Sequence, residues 1–145
     1  MAAKEFASID ILSLVDLEIA IIERYNDTMN GSNQLSIIYF CIPNGYEYGE
    51  IFEKILRRTD VVIKEGDHYI AVLYHTDKNG AAVVLSGIQE FLNSEPIDVI
   101  ITYPKDGKTG KELIAKLQDE IKDNYGVILK CLNTEEAFDI FEERL

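Results

Sequence analysis

Two apolar, β-branched runs separated by only two residues constrain this chain more than any other feature: Val61-Val62-Ile63-Lys64-Glu65, then Gly66-Asp67, then His68-Tyr69-Ile70-Ala71-Val72-Leu73-Tyr74. A two-residue connection joins antiparallel neighbours, and glycine at its first position supplies the positive φ of a type II′ turn, so the spacing predicts a hairpin. The segments around it supply further strands and the helices to cover them. Residues 8 to 29 carry Leu12, Val15, Ile19 and Ile22 on one stripe, widened by Leu14, Leu17, Ile21 and Tyr25, which reads as a heavily buried helix ended by Asn30-Gly31-Ser32-Asn33. Leu35 to Ile42 is a short apolar run closed by Pro43-Asn44-Gly45 and reads as a central strand.

A compact helix follows, with Ile51, Phe52, Ile55 and Leu56 at helical spacing and Arg57 and Arg58 in its last turn, where cations complement the helix dipole. Beyond the hairpin, residues 79 to 93 repeat Val84, Leu85, Ile88, Phe91 and Leu92 as a helix, and Ile97 to Tyr103 reads as a strand ending in a Pro104-Lys105-Asp106-Gly107 turn. Thr109 and Glu112 form a capping box for a helix carrying Leu113, Leu117, Ile121 and Tyr125, which Gly126 terminates. Val127 to Leu132 reads as a last strand, and Asn133 with Glu136 caps a final helix through Ala137, Phe138, Phe141 and Leu145.

The predicted order from the first strand is β-α-β-β-α-β, then α-β-α. That is an α/β (α+β) chain with a ferredoxin-like, split βαβ core: a mainly antiparallel central sheet flanked by helices, with an extra C-terminal strand and helix. We expect one domain over 1–145, made of an N-terminal helical part (1–34), an α/β core (35–132) and a C-terminal helix (133–145). At 145 residues, 47% hydrophobic and 28% charged, such a domain buries a core without disulfides or metals. No run approaches the roughly 20 apolar residues of a membrane helix, and the first residues lack the pattern of an export signal, so a cytoplasmic location is expected.

A net charge of −12 repels a phosphate backbone and argues against nucleic acid as a partner, while leaving room for one small anion at a local basic spot. The two cysteines, Cys41 and Cys131, each lie in an apolar stretch read as strand, without metal-ligand spacing, and read as small core residues. His68 and His75 fall on one predicted strand at odd spacing, hence on opposite faces, which disfavours a shared metal. Tyr46 and Tyr48, between Gly45 and Gly49, form an aromatic loop that reads as surface filler or a partner contact.

Two stretches resemble the diguanylate cyclase, or GGDEF, family. Arg57-Arg58-Thr59-Asp60 followed by the hairpin is similar, without a gap, to the family segment in which an RxxD motif precedes GGDEF by five residues. Thr102-Tyr103-Pro104-Lys105-Asp106-Gly107-Lys108-Thr109-Gly110-Lys111-Glu112-Leu113-Ile114 resembles its YPxDGxTxxELL strand, turn and helix. Asp10-Ile11-Leu12-Ser13 is a weaker echo of the opening DxLT. The chain is shorter than the family pattern between its first strand and Arg57, where the family has its nucleotide-binding helix.

In the family, the motif's glycines let backbone approach substrate phosphates, and its acidic residues with a first-strand aspartate serve metal binding and catalysis. Here the aligned five are Gly66, Asp67, His68, Tyr69 and Ile70, and Cys41 falls at the first-strand aspartate. A one-residue shift would instead align Glu65-Gly66-Asp67-His68-Tyr69, at the cost of the motif spacing. Either way, hard Mg²⁺ prefers oxygen ligands and phosphoryl transfer depends on metal and positioning, so the resemblance implies a domain whose catalytic machinery is lost, with no catalytic residues, metal or cofactor.

What remains is Arg57-x-x-Asp60, with Arg58 beside it. The resemblance implies that this is an inhibitory-type site for cyclic di-GMP, the alternative reading being a turn following a helix. The expectation is therefore a bacterial, non-catalytic, GGDEF-like regulatory domain in cyclic di-GMP signalling. It would bind a protein partner that the sequence does not identify, with cyclic di-GMP or a second copy of the chain as alternatives. An enzyme of altered chemistry using Asp67, His68 and Tyr69 is the third reading.

Overall fold

The hairpin forms at the residues that its spacing dictates. In the computed structural model, which describes residues 4–6, 10–24, 34–42, 54–92 and 99–132, β3 (Val61–Glu65) and β4 (His68–Tyr74) pair antiparallel from Val61 opposite Val72 to Glu65 opposite His68. Gly66 sits at φ 61°, and among the described residues His75 is the one non-glycine with positive φ. Asp67 therefore stays on the negative side, as a type II′ turn allows and a type I′ turn does not.

Around the hairpin, the sheet is completed by β2 (Leu35–Cys41), antiparallel to β4 along its whole length, and by β5 (Ile100–Tyr103), antiparallel to the first half of β2. The result is an α+β fold with four antiparallel strands in the order β3-β4-β2-β5. A short strand not foreseen from the sequence, β1 (Lys4–Phe6), adds itself parallel to β3 at the outer edge.

Both faces of the sheet are covered, which is why its strands are apolar at consecutive positions rather than alternating ones. On one face Leu35, Ile37, Tyr39, Val61, Ile63, Ile70, Val72, Ile101 and Tyr103 meet α1 (Ile11–Arg24) and α3 (Gly110–Tyr125). On the other, Ile38, Phe40, Val62, Tyr69, Ala71 and Leu73 meet α2 (Lys78–Leu92) and Leu56. Pleating sends successive side chains to opposite faces, so β2 and β4 each feed two cores at once. The buried Ser36 on β2 is satisfied by the Thr76 carbonyl at 2.8 Å and the Thr102 hydroxyl at 3.2 Å.

Helix α3 follows its sequence closely. Thr109 accepts the Glu112 amide at 3.1 Å, and Gly126 closes the helix at φ 68° with its N–H on the Lys122 carbonyl. The box differs in one respect: the Glu112 carboxylate accepts from the Lys108 amide, one residue before the cap. The described part of the N-terminal helix is shorter than the 8–29 expectation. Of the helix expected at 51–58 only Lys54 is helical among the described residues, so Arg57 and Arg58 lie in the turn before β3 and not in a last helical turn. Residues 51–53, the Tyr46/Tyr48 loop and the C-terminal helix lie outside the described residues.

One expected strand does not form. Residues 127 to 132 form no strand: an irregular segment leads into a 3-10 turn at Lys130–Leu132. The reason is where their backbone groups go. The Gln118 side chain donates to the Val127 carbonyl at 2.9 Å and accepts from the Leu129 amide at 2.8 Å, while the Glu65 carboxylate accepts from the Lys130 and Cys131 amides at 2.9 and 3.0 Å. Polar side chains take the hydrogen bonds that a sheet edge would have taken. Leu129 and Leu132 still insert into the core under α1 and α3.

Among the described residues no helix is long and apolar enough to cross a membrane.

Candidate functional site

The ends of β2 and β4 bring three reactive side chains together. Register places Cys41 opposite His68 and Tyr39 opposite Ile70, so on one face of the pleat Tyr39, Cys41 and His68 are neighbours. The Tyr39 hydroxyl lies 2.7 Å from His68 Nδ1 and 2.9 Å from Cys41 Sγ, and Sγ lies 3.3 Å from the same Nδ1. The Tyr39 and His68 rings stack with centroids 5.9 Å apart, and Tyr125 of α3 meets Tyr39 edge-on at 5.0 Å. Burial first, then the hydrogen bond to Cys41, hold the Tyr39 phenol above its usual range, so it remains a proton donor. Beyond the last pair, the Ile42 amide donates to the Asp67 carbonyl at 3.0 Å and ties the strand end to the hairpin turn.

The rest of the aligned motif does not converge on this cluster. Gly66 and Asp67 are exposed at the turn, and Ile70 is buried in the core under α1 and α3. Tyr69 points to the opposite face, stacked on Phe40 at 5.5 Å with the Lys64 ammonium 5.7 Å from its ring centroid. Asp67, His68 and Tyr69 are therefore consecutive in sequence and divergent in space. Cys41 is only partly buried, as is Cys131, and both thiols are free. His75 lies just past β4 rather than in it, at φ 57°. Among the described residues no group of three His, Cys, Asp or Glu side chains is placed to hold a metal ion.

Arg57 and Asp60 do meet. The Asp60 carboxylate, 1% exposed, accepts from the Arg57 amide at 2.7 Å and from Arg57 Nη2 at 3.1 Å. The same Nη2 donates to the Tyr74 carbonyl at 2.9 Å and to the Thr76 hydroxyl at 2.7 Å. The unit is thus a clasp that pins the turn before β3 to the end of β4, with Arg58 exposed beside it.

Glu18 of α1 lies within reach of the Asp60 charge. One of its carboxylate oxygens is buried without a partner, and burial, then the Asp60 charge, raise its pKa from 4.5 to about 7. Sequence reading passed over Glu18. The signal was there: a carboxylate one helical turn from both Leu14 and Ile22 lies beside the buried stripe of α1.

The second motif is structural throughout its turn. Asp106 accepts from the Thr102 amide at 2.8 Å and from Lys116 Nζ at 2.8 Å, while its own amide returns to the Thr102 carbonyl at 2.8 Å. Burial opposes ionisation of Asp106, but the hydrogen bonds from Lys116 and Thr102 win and hold its carboxyl below the usual range. The Tyr103–Pro104 bond is cis. A Cβ on Gly107 would lie 3.0 Å from that of Glu112, so the turn packs directly on the first turn of α3.

No protein-family model matches the chain, and no curated protein matches it.

Proposed function

We propose that the chain is a non-catalytic, degenerate GGDEF-like domain that serves as a regulatory or protein-interaction module. The observation that carries this reading is the chemistry at the ends of β2 and β4. Where the resemblance requires oxygen ligands for a divalent cation, Cys41 and His68 stand as a thiol and an imidazole in contact with each other and with the Tyr39 phenol, and the next motif residue, Tyr69, is buried on the other face. Phosphoryl transfer depends on metal ions and positioning, and these side chains supply no carboxylate for a metal.

The strand order supports the scaffold half of the reading. Taking β2, β3, β4 and β5 as the four core strands, the observed order puts the first and third in the centre, the second beside the third and the fourth beside the first, all antiparallel. A ferredoxin-like, split βαβ core gives that order.

Cyclic di-GMP as ligand is the rival, and the clasp weighs against it. Asp60 would have to emerge from a site where it is nearly sealed, and Arg57 already commits its Nη2 to the clasp. Micromolar affinity requires about 8 kcal/mol, and charge-assisted hydrogen bonds contribute roughly 1.5 to 3 each before the cost of binding. Calorimetric titration of cyclic di-GMP into the wild type and Arg57→Ala tests this. The module reading expects no heat from either protein. Low-micromolar binding that Arg57→Ala abolishes would replace it with a second-messenger receptor.

A further inference from the structure

Cys41, Tyr39 and His68 make a closed triangle of hydrogen-bonding atoms at the border of the core. The shortest edge is from the Tyr39 hydroxyl to His68 Nδ1, and Sγ is in reach of both. With His68 carrying its proton on Nε2, Nδ1 is an acceptor, and a proton leaving the thiol has two routes to it: directly, or through the Tyr39 hydroxyl. Once the proton has moved, the thiolate faces two donors, the phenol O–H and the imidazolium N–H, and charge-assisted hydrogen bonds to an anion are the strong kind. The three groups stand in the places of nucleophile, base and orienting group, held by β-sheet register rather than by a loop. Neither Cys41 nor His68 is sealed from solvent.

Cys131 provides the contrast within the same molecule. It faces the Glu65 carboxylate, and burial, then that charge, push its thiol up to about 12. A thiol in that setting is inert, because the thiolate is the reactive form.

We propose that Cys41 is an oxidation site for hydroperoxides, with His68 as its base and Tyr39 as a positioning and proton-relaying residue. The Cys41 proton passes to His68 Nδ1, and the sulfur attacks the distal peroxide oxygen. An S–O bond forms as the O–O bond breaks. The departing alkoxide, or hydroxide when the reactant is hydrogen peroxide, takes the proton back from His68. The products are the Cys41 sulfenic acid and one molecule of alcohol or water, with the sulfur oxidised by two electrons and the peroxide reduced by two. This site is independent of whether the Arg57 clasp takes a nucleotide.

The test exposes the full native chain to hydrogen peroxide in the presence of dimedone, which traps sulfenic acids, and follows Cys41 and Cys131 peptides by mass, with glutathione as the external standard. Cys41 is expected to be trapped at least about tenfold faster than Cys131 and faster than glutathione at pH 7, with the advantage gone in denaturant. His68→Gln is expected to slow Cys41 about tenfold or more, as loss of a general base does. Tyr39→Phe, which keeps the ring and its packing, is expected to slow it as well. Trapping no faster than glutathione overturns the proposal, as does an unchanged rate in a His68→Gln variant that still melts cooperatively. Should His68→Gln not fold, the Tyr39→Phe rate decides in the same sense.

Discussion

Glu18 shows what a carboxylate does when an amphipathic helix carries it to the border of the core. One carboxylate oxygen is buried without a partner, and the charge acting on the group is that of another carboxylate, Asp60. The folded chain therefore keeps a proton on Glu18 that the unfolded chain releases between pH 4.5 and about 7. In that window the native state binds more protons than the unfolded state, so stability falls as pH rises through it. Discounted for partial exposure, the loss is on the order of 1 to 2 kcal/mol. Glu18→Gln is expected to recover that amount at pH 8 and to flatten the slope. Urea denaturation at pH 5 and pH 8 checks it, and an unchanged slope would mean that Glu18 finds a partner.

Arg57 has the opposite role: it is the cation that makes the buried Asp60 tolerable. Arg57→Ala removes three side-chain hydrogen bonds and leaves the buried Asp60 carboxylate with the residue-57 backbone amide. The expected cost is about 1 to 3 kcal/mol in denaturant midpoint terms. Destabilisation near zero would instead mark the arginine as a residue held ready for something outside the chain.

At the scale of elements, what was legible in the sequence was what its immediate neighbours determine. The hairpin, the cap at Thr109 and the stop at Gly126 are local events, and each falls where spacing places it. Thr109→Ala is expected to cost about 1 kcal/mol by thermal melting, the usual worth of a cap. The segment after Gly126 was misread because its β-branched composition is strand-like, while its hydrogen bonds are settled by Gln118 and Glu65, which composition does not reveal. Gln118→Ala is expected to speed amide exchange at Leu129 while leaving the sheet amides protected. Equal protection in the variant would show that packing of Leu129 and Leu132 suffices to hold the segment.

β1 escaped notice for a related reason. Three residues carry no periodicity, and their partner strand lies far along the chain. The Tyr39, Cys41 and His68 cluster was invisible for the same cause: Cys41 and His68 become neighbours only through antiparallel register, although each was singled out separately.

For the whole molecule, the sheet and its two helical layers place polar residues at three points: the β2 and β4 ends, the Arg57 clasp and the Asp106 turn. At each of them the groups bind one another, and the Arg57 and Asp106 contacts hold segments of the fold in place. On the reading proposed above, such a molecule recognises a partner rather than turning over a nucleoside triphosphate. Incubation of the purified protein with GTP and Mg²⁺ or Mn²⁺, with products separated and identified, tests that claim most directly. We expect no dinucleotide and no pyrophosphate above a buffer blank. Release of either that disappears in a variant of Cys41 or of the 66–70 hairpin would contradict the account at its centre.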